Sequence, residues 1–145
     1  EAALQIAGKF ETVKKGSAEN IPFSNQTFEG IIARDIVEHL FYPLQAVKEF
    51  HRVLKPKGLL YLSAPDEKCK FVWDDYTHVR PFNKRSMKML LEDGGFKIIS
   101  WYYESNLTGW KYFRIFNIHR TLWISKLLAR IGIFRGSIVT LAEKI

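Results

Sequence analysis

Residues Phe28 to Pro65 constrain the fold more than any other stretch. Phe28-Glu29-Gly30-Ile31-Ile32-Ala33-Arg34-Asp35 is an apolar run stopped by charge. A short helix start follows at Ile36-Val37-Glu38-His39-Leu40. Between Leu44 and Leu54, Leu44, Val47, Phe50, Val53 and Leu54 recur at helical spacing and fall on one face. Lys55-Pro56-Lys57-Gly58 reads as a tight turn, and Leu59-Leu60-Tyr61-Leu62-Ser63-Ala64-Pro65 as a second apolar run. Strand, helix, turn and strand at this spacing make one βαβ unit, two parallel strands joined by a right-handed crossover. Apolar runs without alternation predict strands buried on both faces. In open sheets of this kind ligands bind outside the carboxyl ends of the strands. The functional edge is therefore expected at Ala33-Arg34-Asp35 and Ser63-Ala64-Pro65-Asp66.

Around this unit the chain reads as one domain of 145 residues. Ala2 to Ala7 reads as the last turns of a helix closed by Gly8, and Phe10 to Lys14 as a short strand. Gly16 to Phe23 is a loop. Asp66 to Asn83 has no period and carries Phe71, Trp73, Tyr76 and Phe82; it is expected as a substrate loop or a satellite core. Lys84 to Glu92 is helical with Met87, Leu90 and Leu91 inward, and Gly94-Gly95 ends it. Phe96 to Tyr103 is a strand, Tyr112 to Ile131 is mostly helix, and Ser137 to Leu141 closes the sheet. The single cysteine, Cys69, excludes an internal disulfide, fits a reducing, cytoplasmic setting, and is expected as a surface or half-buried thiol. No charged start with an apolar run is present, so no secretory signal is expected, and the missing initiator Met suggests a processed or cut chain.

The net charge of +7 sits unevenly: Asn106 to Ile145 holds seven Lys and Arg against Glu143 alone, so +6 of the total lies there. A solvated basic face is the simplest reading. A peripheral membrane contact through this basic aromatic helix is the alternative, with Trp123 and Phe134 inserted. Lys126 and Arg130 interrupt the apolar stretch from Leu122 to Phe134, which excludes a span of the bilayer. No base-reading motif is present, so nucleic acid is not expected as a partner.

Five pieces in order carry a resemblance: Gly16-Ser17-Ala18-Glu19-Asn20-Ile21-Pro22-Phe23, Phe28-Glu29-Gly30-Ile31-Ile32, Val37-Glu38-His39-Leu40, Arg52-Val53-Leu54-Lys55-Pro56-Lys57-Gly58, and the pair His78-Val79-Arg80-Pro81-Phe82 with Leu90-Leu91-Glu92-Asp93-Gly94-Gly95-Phe96. Together they resemble the class I S-adenosylmethionine-dependent methyltransferases, nearest the small-molecule group that includes ubiquinone-biosynthesis enzymes. The resemblance implies a Rossmann-like α/β sheet, parallel with an antiparallel last strand and helices on both faces. It implies S-adenosylmethionine as cofactor and a small-molecule, lipid- or sugar-linked acceptor, methylated on oxygen. Carried over, Ser17, Ala18 and Glu19 fall at the adenine side, and Ala33, Arg34 and Asp35 beside the methionine end. Ser17 stands where the family has an acid.

The glycine-rich turn and the ribose-binding acid of the family are not visible. The chain is therefore expected to be the domain without its first two strands, to bind cofactor weakly alone, and to cover its sheet edge, as in a homodimer. A base of near-neutral pKa suits transfer to oxygen, and His39 and His78 are the candidates; His51 and His119 read as structural. Asp35, Glu38 and His39 repeat a spacing at which some relatives hold a divalent metal, yet Glu-His occurs there in relatives without one, and no metal is assigned. The rival reading is a non-catalytic, methyltransferase-like interaction domain.

Overall fold

The computed structural model describes residues 13–105 and 135–145. In order they form β1 (Phe28–Arg34), a 3-10 turn (Val37–His39), α1 (Pro43–Val53), β2 (Leu54–Pro65), α2 (Lys84–Asp93), β3 (Phe96–Ser105) and β4 (Arg135–Lys144). They make one mixed sheet in the order β1-β2-β4-β3. β1 and β2 are parallel, and β4 runs antiparallel to both β2 and β3.

The βαβ unit forms as the periodicities require. Pro43 opens α1, where its missing N–H costs no helical bond. Ala46, Val47, Phe50 and Val53 then face the core at helical spacing. The Lys55-Pro56-Lys57-Gly58 turn lies inside β2 rather than before it. Phe28 pairs with Leu54 and Gly30 with Leu59, so three extra residues bulge out of β2. Lys57 takes φ 61° there, and the bulge absorbs the turn without ending the strand.

α2 begins with a capping box, Asn83 accepting from the Ser86 N–H and Ser86 Oγ accepting from the Asn83 N–H. It ends where Gly95 turns to φ 88°, a left-handed conformation in which a Cβ would also meet the His51 ring at 2.9 Å. β4 inserts between β2 and β3, with Leu62 opposite Thr140 and Ile98 opposite Ala142.

One apolar cluster joins Ala33, Leu60, Leu62, Ala64, Ile138 and Ala142 from the sheet to Phe50 of α1 and Met87 and Leu91 of α2. Both described helices thus pack on the same face. The expectation of strands buried on both faces is corrected at β1, where Ile32 points away from that cluster and is 79% exposed. Val13 and Lys14 are not in a strand. Cys69, expected near the surface, is buried. The readings for Ala2 to Gly8, for the rest of the Phe10 strand and for the helix from Tyr112 to Ile131, with His119 and the membrane-facing basic segment, lie outside the described residues.

Candidate functional site

At the carboxyl end of β1 the chain turns sharply. Asp35 takes φ 51°, a left-handed conformation rare for a non-glycine residue, and its N–H donates to Ser63 O of β2. Its carboxylate accepts from Ser63 Oγ at 3.3 Å, and Arg34 reaches both Asp35 and Glu104. Glu104 first, then Asp35, hold the Arg34 guanidinium above its usual range. The same corner holds Tyr61, whose hydroxyl lies 3.3 Å from that of Tyr102 and is pushed up mainly by burial.

Three residues on, Val37 fills the core and Glu38 is fully buried with it. Neither carboxylate oxygen of Glu38 has a hydrogen-bond partner. Burial pushes its pKa up, helped by the nearby negative charge of Asp35. The loop 66–83 then folds back over this turn. Phe82 N donates to Pro65 O of β2, and Glu67 N donates to Phe82 O, closing the two ends of the loop on each other. Its middle hangs from the turn, with Val79 N donating to Glu38 O at 2.8 Å. Val72 and Phe82 anchor it in the interior, while Phe71, Trp73 and Tyr76 stay exposed. Of the aromatic loop residues, only Phe82 joins the core.

The fold-back brings His39 and His78 together, ring centres 4.7 Å apart. One ligand atom each from Glu38, His39 and His78 all lie within 4.8 Å of one another. His78 Nδ1 faces the Val72 carbonyl. His39 Nδ1 lies 2.9 Å from Thr77 Oγ1, which donates its proton to Asp75 Oδ1 at 2.6 Å. The two hydrogen bonds from Thr77, hydroxyl and backbone, hold the Asp75 carboxyl below its usual range.

The remaining expected residues sit apart from this cluster. Ser17 forms a bridge with Asn20, and its Oγ accepts from the Glu19 N–H. Ala18 packs against the core. Glu19, read as a solvated acid, accepts from the Tyr42 N–H at the start of α1, and its carbonyl accepts from Gln45. Ala33 is buried in the core, so only its backbone can face a ligand. Asp35 is not on a helix face with Glu38 and His39; the left-handed kink separates it from a 3-10 turn of three residues. His51 is structural, its ring edge-on to Phe96 and its Nε2 3.3 Å from Ile145 O. An open groove of about 590 Å³ between Phe41, Tyr42, Lys48, Arg80 and Leu90 contains none of the candidate residues. The sequence reading missed Thr77 and the burial of Glu38; the Glu-His pair was visible, but not the loop that closes on it.

Residues 1–62 match the family model of the methyltransferase domain. Over 51 residues the chain is 43% identical to a demethylmenaquinone methyltransferase of Chlorobaculum parvum, covering 35% of this chain and 21% of that protein. Over 94 residues it is 31% identical to a bifunctional biotin-biosynthesis protein of Teredinibacter turnerae, covering 59% and 16%. These matches span about a fifth or less of those relatives. Among solved structures, an S-adenosylmethionine-dependent methyltransferase of Archaeoglobus fulgidus superposes with TM-score 0.71 at 16% identity, over 99% of this chain and 72% of that one. The [4+2]-cyclase SpnF superposes with TM-score 0.62 at 20% identity, over 90% and 54%. The methyltransferase-domain match thus covers residues 1–62, and the fold is shared with solved methyltransferase structures.

Proposed function

We propose that the chain forms the acceptor side of an S-adenosylmethionine-dependent methyltransferase acting on a small molecule, with an oxygen as the methylated atom. The observation that carries this reading is the reach of the methyltransferase match. It runs through β1 and the 3-10 turn into β2, the segment that carries Asp35, Glu38 and His39.

The residues fit the cofactor in charge. Arg34 is neutralised by Asp35 and Glu104, so no free cation faces a sulfonium there. Asp35 carries the strained backbone common at ligand sites. In this reading Ser17, Ala18 and Glu19 border the adenine and Ala33, Arg34 and Asp35 the methionine end. When bound, the cofactor supplies an electrophilic methyl group. His39 and His78 bracket the acceptor, and either Nε2 can take the proton from its hydroxyl as the bond to carbon forms.

The glycine-rich turn is assigned to sequence outside these 145 residues. The domain is further assigned to the cytoplasm, as a homodimer that covers the β1 edge. No helix among the described residues is long and apolar enough to cross a membrane.

Fold alone does not select the reaction, as the cyclase neighbour shows. Titration calorimetry of S-adenosylhomocysteine tests the proposal on this chain and on the full product of its gene. Binding to the longer protein alone is expected. Binding to both moves the cofactor site into this chain, and binding to neither leaves a non-catalytic domain.

A further inference from the structure

The cluster of Glu38, His39 and His78 has an unusual balance of hydrogen-bonding groups. Val72 O can only accept, so His78 Nδ1 carries a proton and the lone pair of a neutral ring lies on Nε2. Thr77 Oγ1 spends its proton on Asp75, so it accepts from His39 Nδ1, and there too the lone pair is on Nε2. Glu38 adds two carboxylate oxygens, fully buried and unpartnered. With both rings neutral, acceptors meet here with no donor among them, and Asp75 Oδ2 stands 3.9 Å from His78 Nε2 as a further one. Buried polar groups in folded proteins are nearly always satisfied, and an unsatisfied set calls for an ion, water or ligand.

We propose that Glu38, His39 and His78 bind one divalent transition-metal ion of the zinc class, leaving at least one coordination position open. Two neutral imidazoles and one carboxylate are a borderline-soft donor set that suits zinc or cobalt and not magnesium or calcium. Donor atoms on bonds of about 2.0–2.2 Å stand roughly 3.3 Å apart in a tetrahedral site, so a cluster whose ligand atoms lie within 4.8 Å of one another must contract on binding. Thr77, braced by Asp75, and the Val72 carbonyl orient the two rings through their Nδ1 protons, the arrangement that fixes tautomer and direction in histidine metal sites. Asp35 has no part in it, being held by Arg34 and Ser63. The proposal stands on this geometry and not on the methyl-transfer reading; while the ion is bound both Nε2 atoms are ligands, so the proton-accepting role of His39 and His78 belongs to the metal-free site.

The test is titration of chelator-stripped protein with Co²⁺, read by visible absorption, with Zn²⁺ content after dialysis measured by mass spectrometry. One equivalent per chain and a rise in Tm with metal are expected. His39→Asn, His78→Asn and Glu38→Gln should each lose the cobalt spectrum and the Tm rise, while His51→Asn keeps both. Thr77→Val, a change at an exposed position, should weaken binding by about 10- to 100-fold by releasing the His39 ring. Absence of uptake by the wild-type protein overturns the proposal and leaves a proton on Glu38 as the guest. Uptake unchanged in the Glu38, His39, His78 and Thr77 variants also overturns it, because the ion then sits elsewhere.

Discussion

The helix-sheet core and the turn at its carboxyl edge each bury side chains completely, and they are oppositely built. In the core, Leu60, Leu62, Met87 and Leu91 have no solvent exposure, and their side chains carry no group that needs a hydrogen bond. Its helix is capped reciprocally, and even Lys144, reaching in from β4, donates to the carbonyls of His51 and Leu54. At the edge, Glu38 is as buried as Leu62 but has no partner, and Asp35 is held at positive φ. Stability is concentrated in the first region and withheld from the second, the division expected where a site must keep binding capacity for something else.

Leu62 sets the core end of this contrast. It lies between Ala33 of β1 and Thr140 of β4. Leu62→Ala should cost about 2–5 kcal/mol, read from urea unfolding. A cost under about 1 kcal/mol would mean that the central sheet is loosely packed, and the contrast would fail.

Glu38→Met, at the same burial, should do the opposite. In chelator, removing an unpartnered buried carboxylate and leaving an apolar chain of similar shape should be neutral or gain about 1–3 kcal/mol. A loss as large as that at Leu62 would show that Glu38 is a structural residue with a partner of its own.

The two regions also differed in how far they could be read beforehand. Val47, Phe50 and Val53 announce their helix because period alone places them on one face, and Met87 and Leu91 do the same for α2. Gly94-Gly95 marks its end through chain conformation, which is local. The bulge at Lys57 was not legible, since a Lys-Pro-Lys-Gly turn and a strand irregularity share the same residues. His39 and His78 were each visible as candidate bases, but their meeting depends on the loop 66–83, whose path is set by Val72 and Phe82 docking in the interior. The burial of Glu38 was hidden for the same reason: it is imposed by a segment nearly forty residues away that carries no period. The open face at Ile32 is a property of the sheet's edge rather than of the strand's own residues.

Asn83→Ala sharpens the comparison at an intermediate scale. It removes the acceptor for the Ser86 N–H and the Asn83 contact to Glu67, so loss of about 1 kcal/mol is expected. Because the cap also fixes the end of the loop 66–83, the variant separates the two regions. If the core merely loses a cap, thermal unfolding shifts and the His39–His78 pair, followed by histidine NMR shifts, does not. If the pair moves with it, loop and core are one cooperative unit.

The smallest expected effect concerns acid. Arg52 forks onto both carboxylate oxygens of Glu49 and donates to the carbonyls of Ile21 and Phe23, tying the loop before β1 to α1. Its side-chain hydrogen bond is the main cause holding Glu49 below the usual carboxylate range, with the Ile21 N–H adding to it. A carboxylate whose pKa is lower when folded contributes stability that is fully present above its ordinary value of about 4.3 and lost as pH falls through the folded value. Glu49→Gln should therefore flatten the acid limb of the stability curve below about pH 4.3 and lower stability slightly at neutral pH. The pair is partly exposed, so salt should shrink the effect. An acid limb identical in Glu49→Gln and wild type would assign acid sensitivity to the polar edge instead, and the core side would then be pH-independent throughout.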